Sequence, residues 1–302
     1  MMVDQHKPNS ESPISRSGRR EITNVLSSPL GCKIKKLETA NLPGYEVLQI
    51  DVTDSEIWKS QANENSLVRL FGKLSTVAFA PRDRKINWNP TDPKIYQEAV
   101  ANLNEICESD RIFVAMKDGK AVGFASSLTS DGPQNSHVAD LMLTVVDPNS
   151  RGTPIAKELN QLFFSQNVDA FVAISHNPAA VKNFLAAARE KNLNSYFCGQ
   201  KNGKWGELGS DQEMKKMSEL DEDVKTSYRH EYPGRVIDSE LGYVGIKRTN
   251  NTNEIQPIPP VTAEELNFGS DNSVKETFEK GLLAQNAKYA PHTMYGTLIA
   301  FR

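Results

Sequence analysis

The sequence predicts an α/β (α+β) protein built on a mixed central β-sheet flanked by helices, with a C-terminal extension. Three observations carry that prediction. From Arg111 onward the apolar segments follow the order β-β-β-α-β-α-β, and strands separated by helices imply parallel pairing through crossover connections. Asp118-Gly119 lies between two apolar runs as a two-residue hairpin turn. The run HVADLMLTVV is too continuously apolar for a half-exposed strand, so it is expected to be buried on both faces.

The elements follow in chain order. Residues 1–30 are Ser/Pro/Arg-rich (HKPNSESPISRSGRR) and lack the apolar stretch of a secretory signal, so they are expected to form a disordered tail. Order is expected from Gly31. CKIKKLETA and YEVLQIDV are strands around the turn Asn41-Leu42-Pro43-Gly44. A helix over 54–79 starts at an N-cap, Asp54 or Ser55, and aligns Leu67, Leu70, Phe71 and Leu74. The next helix, over 92–109, carries Pro93 in its first turn and aligns Ile95, Val100, Leu103 and Ile106. After the hairpin over 111–128 come strand 137–147, helix 153–166, strand 169–176, helix 177–192 and strand 195–200. The remainder holds a charged helix over 211–228, with strand candidates GYVGIKR and MYGTLIAFR on either side of the loop NNTNEIQPIPPVT. The chain thus divides into a tail (1–30), a sheet domain (31–200) and an extension (201–302) whose MYGTLIAFR is a candidate for the sheet's last strand.

Composition narrows the function. With 35 Lys plus Arg against 38 Asp plus Glu in 302 residues, the net charge is −3, which excludes broad binding to nucleic acid. No apolar run approaches the roughly 20 residues of a membrane span, so no membrane partner is expected. Cys32, Cys107 and Cys198 are widely spaced, without a Cys-x-x-Cys pair or Cys/His cluster. No metal site is expected, and a reducing, cytoplasmic compartment fits this usage.

The chemistry-bearing segment is LTVVDPNSRGTPIAKEL. A strand ends at Val146, Asp147-Pro148-Asn149-Ser150 turns the chain, and Arg151-Gly152-Thr153-Pro154 enters a helix through Ile155 and Ala156. Helix-start N–H groups lack intrahelical acceptors and sit at the positive end of the helix dipole, which favours an anion. Gly152 allows a close approach to the backbone, and Arg151 adds a guanidinium suited to phosphate.

Val146-x-Pro148-x-x-Arg151-Gly152-x-Pro154-Ile155-Ala156-x-x-Leu159 resembles the acetyl-CoA motif of GNAT-superfamily N-acyltransferases. Asn177-x-x-Ala180-x-x-x-Phe184 resembles that family's following helix. The resemblance covers roughly residues 105–200. It implies a GNAT-type sheet, acetyl-CoA (CoA) as cofactor, and transfer of an acetyl group to an amine of a small molecule or peptide. The implied cofactor-binding residues are Val145, Val146, Arg151, Gly152, Thr153, Pro154, Ile155, Ala156, Asn177 and Phe184, with a strand N–H near Val145 or Val146 meeting the carbonyl oxygen.

An amine must lose a proton to attack, so a base is required. Asp140 and His176 are the candidates, with His137 and Glu231 as further choices, and Tyr196 is a candidate acid. Two departures stand out. Pro154 replaces the motif's second glycine and lacks an N–H. Phe184 replaces a tyrosine that protonates the leaving thiolate in many relatives; a shifted alignment through Asn183 and Ala186 places Glu190 there instead. These departures support an alternative, a GNAT-fold binding or regulatory module without catalysis. Asn177 also has a purely structural reading, as N-cap before Pro178.

Overall fold

The computed structural model describes residues 32–38, 42–52, 68–79, 88–89, 91–104, 106–231, 236–246, 272–290 and 292–302. The chain forms two compact units, Met1–Phe124 with Val145–Ile155, and Ala125–Thr144 with Ala156–Arg302.

In the first unit β1 (Cys32–Leu37), β2 (Glu46–Val52), β3 (Arg111–Lys117) and the start of β4 (Lys120–Asp131) follow one another across the sheet. Ile34 pairs with Ile50 and Leu48 with Val114, both antiparallel. The β3–β4 turn is Asp118-Gly119, with φ of 50° and 75°, as hairpin twist demands. A π-helical turn (Val68–Gly72) runs into α1 (Lys73–Phe79), and α2 spans Pro93–Asn104. α2 starts after Asp92, whose carboxylate accepts the Lys94 N–H at 2.9 Å. Phe71 meets Phe124 edge-on at 5.1 Å between centroids. The expected caps Asp54 and Ser55 lie outside the described residues.

The second unit holds the rest of β4, most of β5 (His137–Val146), and β6 (Ala170–Ser175), β7 (Asn194–Phe197), β8 (Gln200–Lys201), β9 (Val236–Ile237), β10 (Tyr243–Ile246) and β11 (Thr293–Phe301). The strand order is β4-β5-β6-β11-β10-β9, with β7 on β11 and β8 on β7. Its helices are α3 (Ile155–Phe163, from Ala156), α4 (Pro178–Glu190), α5 (Asp211–Glu231) and α6 (Leu283–Lys288), the last preceded by a π-helical segment (Thr277–Leu282). MYGTLIAFR forms most of β11, which runs antiparallel to β6, β7 and β10, and all nine strand residues are buried. The loop NNTNEIQPIPPVT lies outside the described residues.

β5 and β6 are parallel, joined by α3 as the β-α-β order requires. Period-2 alternation along β6 then sorts the two faces. Phe171 faces α3 and α4, where Phe163, Phe164 and Phe184 form edge-to-face contacts at 4.8–5.2 Å. Val172 faces α5, packing with Val138, Tyr196, Met217, Leu220, Val224, Val244, Ile299 and Phe301. Among the described residues no helix is long and apolar enough to cross a membrane, and no group of three His, Cys, Asp or Glu side chains is placed to hold a metal ion.

Candidate active site

The strand expected to be buried on both faces is so only in part. Val138 and Ala139 are buried, but the four residues from Leu141 to Thr144 are half-buried. The reason is pairing. β5 meets β6 only at Val138–Ala170, Ala139–Phe171 and Asp140–Val172. Beyond that register both strands continue, β5 to Val146 and β6 to Ser175, without pairing to each other. Past the parting, Leu141–Thr144 of β5 and Ile174 and Ser175 of β6 are half-buried, and their facing backbone edges do not pair with each other. The end of β5 is instead tied to α3, where Thr144 Oγ1 donates to Asn160 Oδ1 at 3.0 Å, and Asn160 is 2% exposed.

The loop after β5 is built within the first unit. Val145 is buried, Val146 half-buried, and the Asp147 N–H donates to the Val122 carbonyl at 2.9 Å. A 3-10 turn (Pro148–Ser150) follows, capped by the Asp147 carboxylate accepting the Asn149 N–H at 2.8 Å. Thr153 Oγ1 donates to the Ser150 carbonyl at 2.6 Å. Arg151, Gly152, Thr153 and Pro154 are exposed, and Ile155 is buried at the start of α3. Gly152 has φ +78°, a conformation costly for any side chain. A Cβ built there would meet nothing within 4 Å, so the backbone is open to a ligand's approach. Arg151 Nη2 donates to the Ala78 carbonyl in the last turn of α1 at 2.6 Å. That bond engages one of the five N–H donors of a guanidinium and fixes its direction. A permanently charged fork beside an open glycine before a helix start is a donor arrangement that suits a phosphate group.

Asn177 caps α4, its side-chain oxygen accepting the Ala179 N–H at 2.9 Å before Pro178. The structural reading of Asn177 therefore accounts for its conformation. Phe184 is 1% exposed and locked against Phe164 at 4.8 Å, so its ring belongs to the core beneath α4.

The three nominated catalytic residues do not converge. Asp140, Val172, Ile299 and Tyr196 form one row across the sheet, which puts Tyr196 three strands, about 14 Å, from Asp140. His176 lies four residues beyond Val172, about 13 Å further along β6. All three lie on the α5 side of the sheet. His176 is half-buried, and its ring meets Tyr295 edge-on at 4.7 Å. His137 is exposed and paired with Asp131 at 3.1 Å.

Tyr196 is 0% exposed and stacks on Phe301 at 5.6 Å, and its hydroxyl packs against Gly209 and Glu213. Burial, then the Glu213 charge, push its pKa up to about 12. In the unfolded chain the phenol ionises near 10. The stabilisation is therefore complete below pH 10 and is lost as pH rises through the folded value, about 12. Tyr196→Phe should remove the phenol that titrates at about 12 in a 295 nm absorbance titration, and flatten the loss of stability over that window. Unchanged late titration in the variant would refute this. Tyr243 is shifted in the same direction by burial and keeps a second late phenol in both chains.

Sequence reading missed Tyr295 and Asn160. Both sit in segments read as strand or helix, but their partners are 119 and 16 residues away, and no local pattern reports such register.

No family model matches the chain, and no curated protein matches it. Solved structures do. The chain is similar to GNAT-family acetyltransferases. A diaminobutyrate acetyltransferase from Paenibacillus lautus, solved with L-2,4-diaminobutyric acid and coenzyme A, is 19% identical over 44% of this chain and 77% of its own, with a TM-score of 0.28. A GNAT family acetyltransferase from Brucella melitensis in complex with acetyl-CoA is 14% identical over 48% and 75%, with a TM-score of 0.26. A ribosomal-protein-alanine N-acetyltransferase from Brucella melitensis is 19% identical over 47% and 85%, with a TM-score of 0.29.

Proposed function

We propose that the protein is an acetyl-CoA-dependent N-acyltransferase acting on a primary amine of a small molecule or peptide. The parting of β5 from β6 after the Asp140–Val172 register is the observation that carries this reading. Strands that stop pairing expose main-chain donors and acceptors along the parted edges, and an elongated amide-containing chain can meet them by β-like hydrogen bonds. Acetyl-CoA supplies a thioester carbonyl open to attack by an amine.

In this reading Arg151, Gly152, Thr153, Pro154, Ile155 and Ala156 take the pyrophosphate. Pro154 contributes shape without an N–H, which leaves the donors to its neighbours. Val145 and Val146 supply the strand backbone, including the donor to the thioester oxygen. Asn177 and Phe184 act indirectly, by fixing the start and the underside of α4. Of the ionisable candidates His176 is preferred as base, because it is half-buried where the strands have parted. Asp140 lies back at the last paired position.

Isothermal titration with CoA tests the loop. Arg151→Glu should weaken binding about ten- to hundred-fold, the value of a charge-assisted contact replaced by repulsion. The same change at exposed Arg189 should cost less than about two-fold. Equal effects would defeat the loop assignment.

A second reading, a binding module without catalysis, is favoured by one observation. The ring at position 184 is apolar and enclosed, so that position offers no acid. CoA binding with no acetyl transfer across a panel of primary amines would establish the module and exclude the enzyme.

A further inference from the structure

The end of β6 sets an imidazole against a phenol ring. The β6–β11 register pairs Ser175 with Gly296, so continuing it by one step sets His176 opposite Tyr295. Their rings meet at 4.7 Å between centroids and 79° between planes, an edge-to-face contact. Tyr295 is itself held from its other side, since it pairs with Val244 of β10, which is fully buried. The backbone on both sides of His176 is also fixed. Ser175 Oγ accepts the Asn177 N–H at 3.0 Å, and Asn177 then caps α4. An imidazole held at its backbone by a cap and at its ring by an aromatic wall has little rotational freedom left. The ring is therefore held by Tyr295, and it is held beyond the last β5–β6 pair, beside the parted strands.

Alternatives within the same face fail on distance or access. Asp140 is about 13 Å back along the strand direction. Tyr196 is enclosed against Phe301, Gly209 and Glu213.

We infer that Tyr295 is the positioning residue for His176, and that His176 so held serves as the base of the acyl transfer. This rests on the acyltransferase reading above. As the new N–C bond forms, the amine's proton passes to the neutral imidazole. As the C–S bond breaks, the imidazolium returns that proton to the departing sulfur, so the ring ends neutral. One group then does the work of both base and acid, which removes the need for a tyrosine at position 184.

The experiment is steady-state kinetics of the full chain with acetyl-CoA and a panel of primary amines. Tyr295→Leu should lower kcat about ten-fold while leaving both KM values within about two-fold, because orientation and not ground-state binding is lost. Tyr295→Phe keeps the ring and should stay within about two-fold of the unmodified chain. His176→Ala should lower kcat at least about 100-fold, and adding Tyr295→Leu to it should cost nothing further. A Tyr295→Leu chain with normal kcat overturns the inference, as does a leucine effect that persists in the His176→Ala background. Both outcomes leave the acyltransferase reading standing. An unmodified chain that binds CoA yet never transfers acetyl overturns that reading and the inference together. A Tyr295→Leu chain that loses its cooperative melt is replaced by Tyr295→Met, read the same way.

Discussion

Removing residues 293–302 is expected to abolish the folded state of the second unit, not merely to weaken it. β11 pairs with β6 along one edge and with β10 and β7 along the other, so its loss opens six to eight residues of ladder on each side. Met294, Leu298, Ile299 and Phe301 are each no more than 2% exposed. Burying a large apolar side chain is worth about 1.5–3 kcal/mol, so these four together rival the roughly 5–15 kcal/mol by which a domain is stable. Urea unfolding followed by near-UV circular dichroism measures it. The truncated chain should show no cooperative transition, and Ile299→Asp should approach the same outcome by placing a charge in the row shared with Val172 and Tyr196. A truncated chain that melts cooperatively within about 5 °C of the full one would refute the central role of this strand.

A second large effect is expected at Asp221 and Lys225 on α5. The pair is 2.9 Å apart, with side chains 0% and 3% exposed. Asp221 Oδ2 also accepts the Gly242 N–H at 3.2 Å, and Lys225 Nζ donates to the Ser239 and Glu240 carbonyls at 3.3 Å. The pair therefore pins the turn that leads into β10. Asp221→Leu leaves the buried ammonium only the exposed Glu222 carboxylate, 3.4 Å away, in place of its buried partner and should cost about 3 kcal/mol. Lys225→Met leaves the buried Asp221 carboxylate with the Gly242 N–H and no cation, and should cost about 3–5 kcal/mol. The double variant removes both charges and should recover most of the loss. Urea midpoints at constant m-value give the three numbers. Additive single effects would show that the two charges are not coupled.

The sequence carried the order of elements well. Asp118-Gly119 announced its hairpin, Asp92-Pro93 and Asn177-Pro178 announced helix starts, and the strand–loop–helix around Arg151 lies where the pattern put it. These signals are local. They depend on which φ a residue tolerates, which N–H a side chain can reach, and which period an apolar run follows. The same locality explains the limits. HVADLMLTVV reads as doubly buried because its side chains are apolar, yet half of it is partly uncovered, because its neighbour stops pairing at Val172. The pattern of one strand holds no record of where the next one leaves.

Distance decided the rest. Asp140, His176 and Tyr196 all belong to strands or strand ends, and all face the same side of the sheet, so a sequence reading has no ground for separating them. Register separates them. In a sheet each strand step adds about 4.8 Å and each residue about 3.3 Å, and a carboxylate, an imidazole and a phenol that look interchangeable on paper end about 14–16 Å apart. Register also brought His176 against Tyr295, across 119 residues of chain. By itself, then, the sequence determined the mixed α/β class, the hairpin, the helix caps and the strand–loop–helix at Arg151–Ala156, because backbone preference and apolar period are written residue by residue. Only the tertiary structure decided where β5 and β6 part, which aromatic holds His176 and which phenol is enclosed, because those follow from pairing between segments that share no local signal.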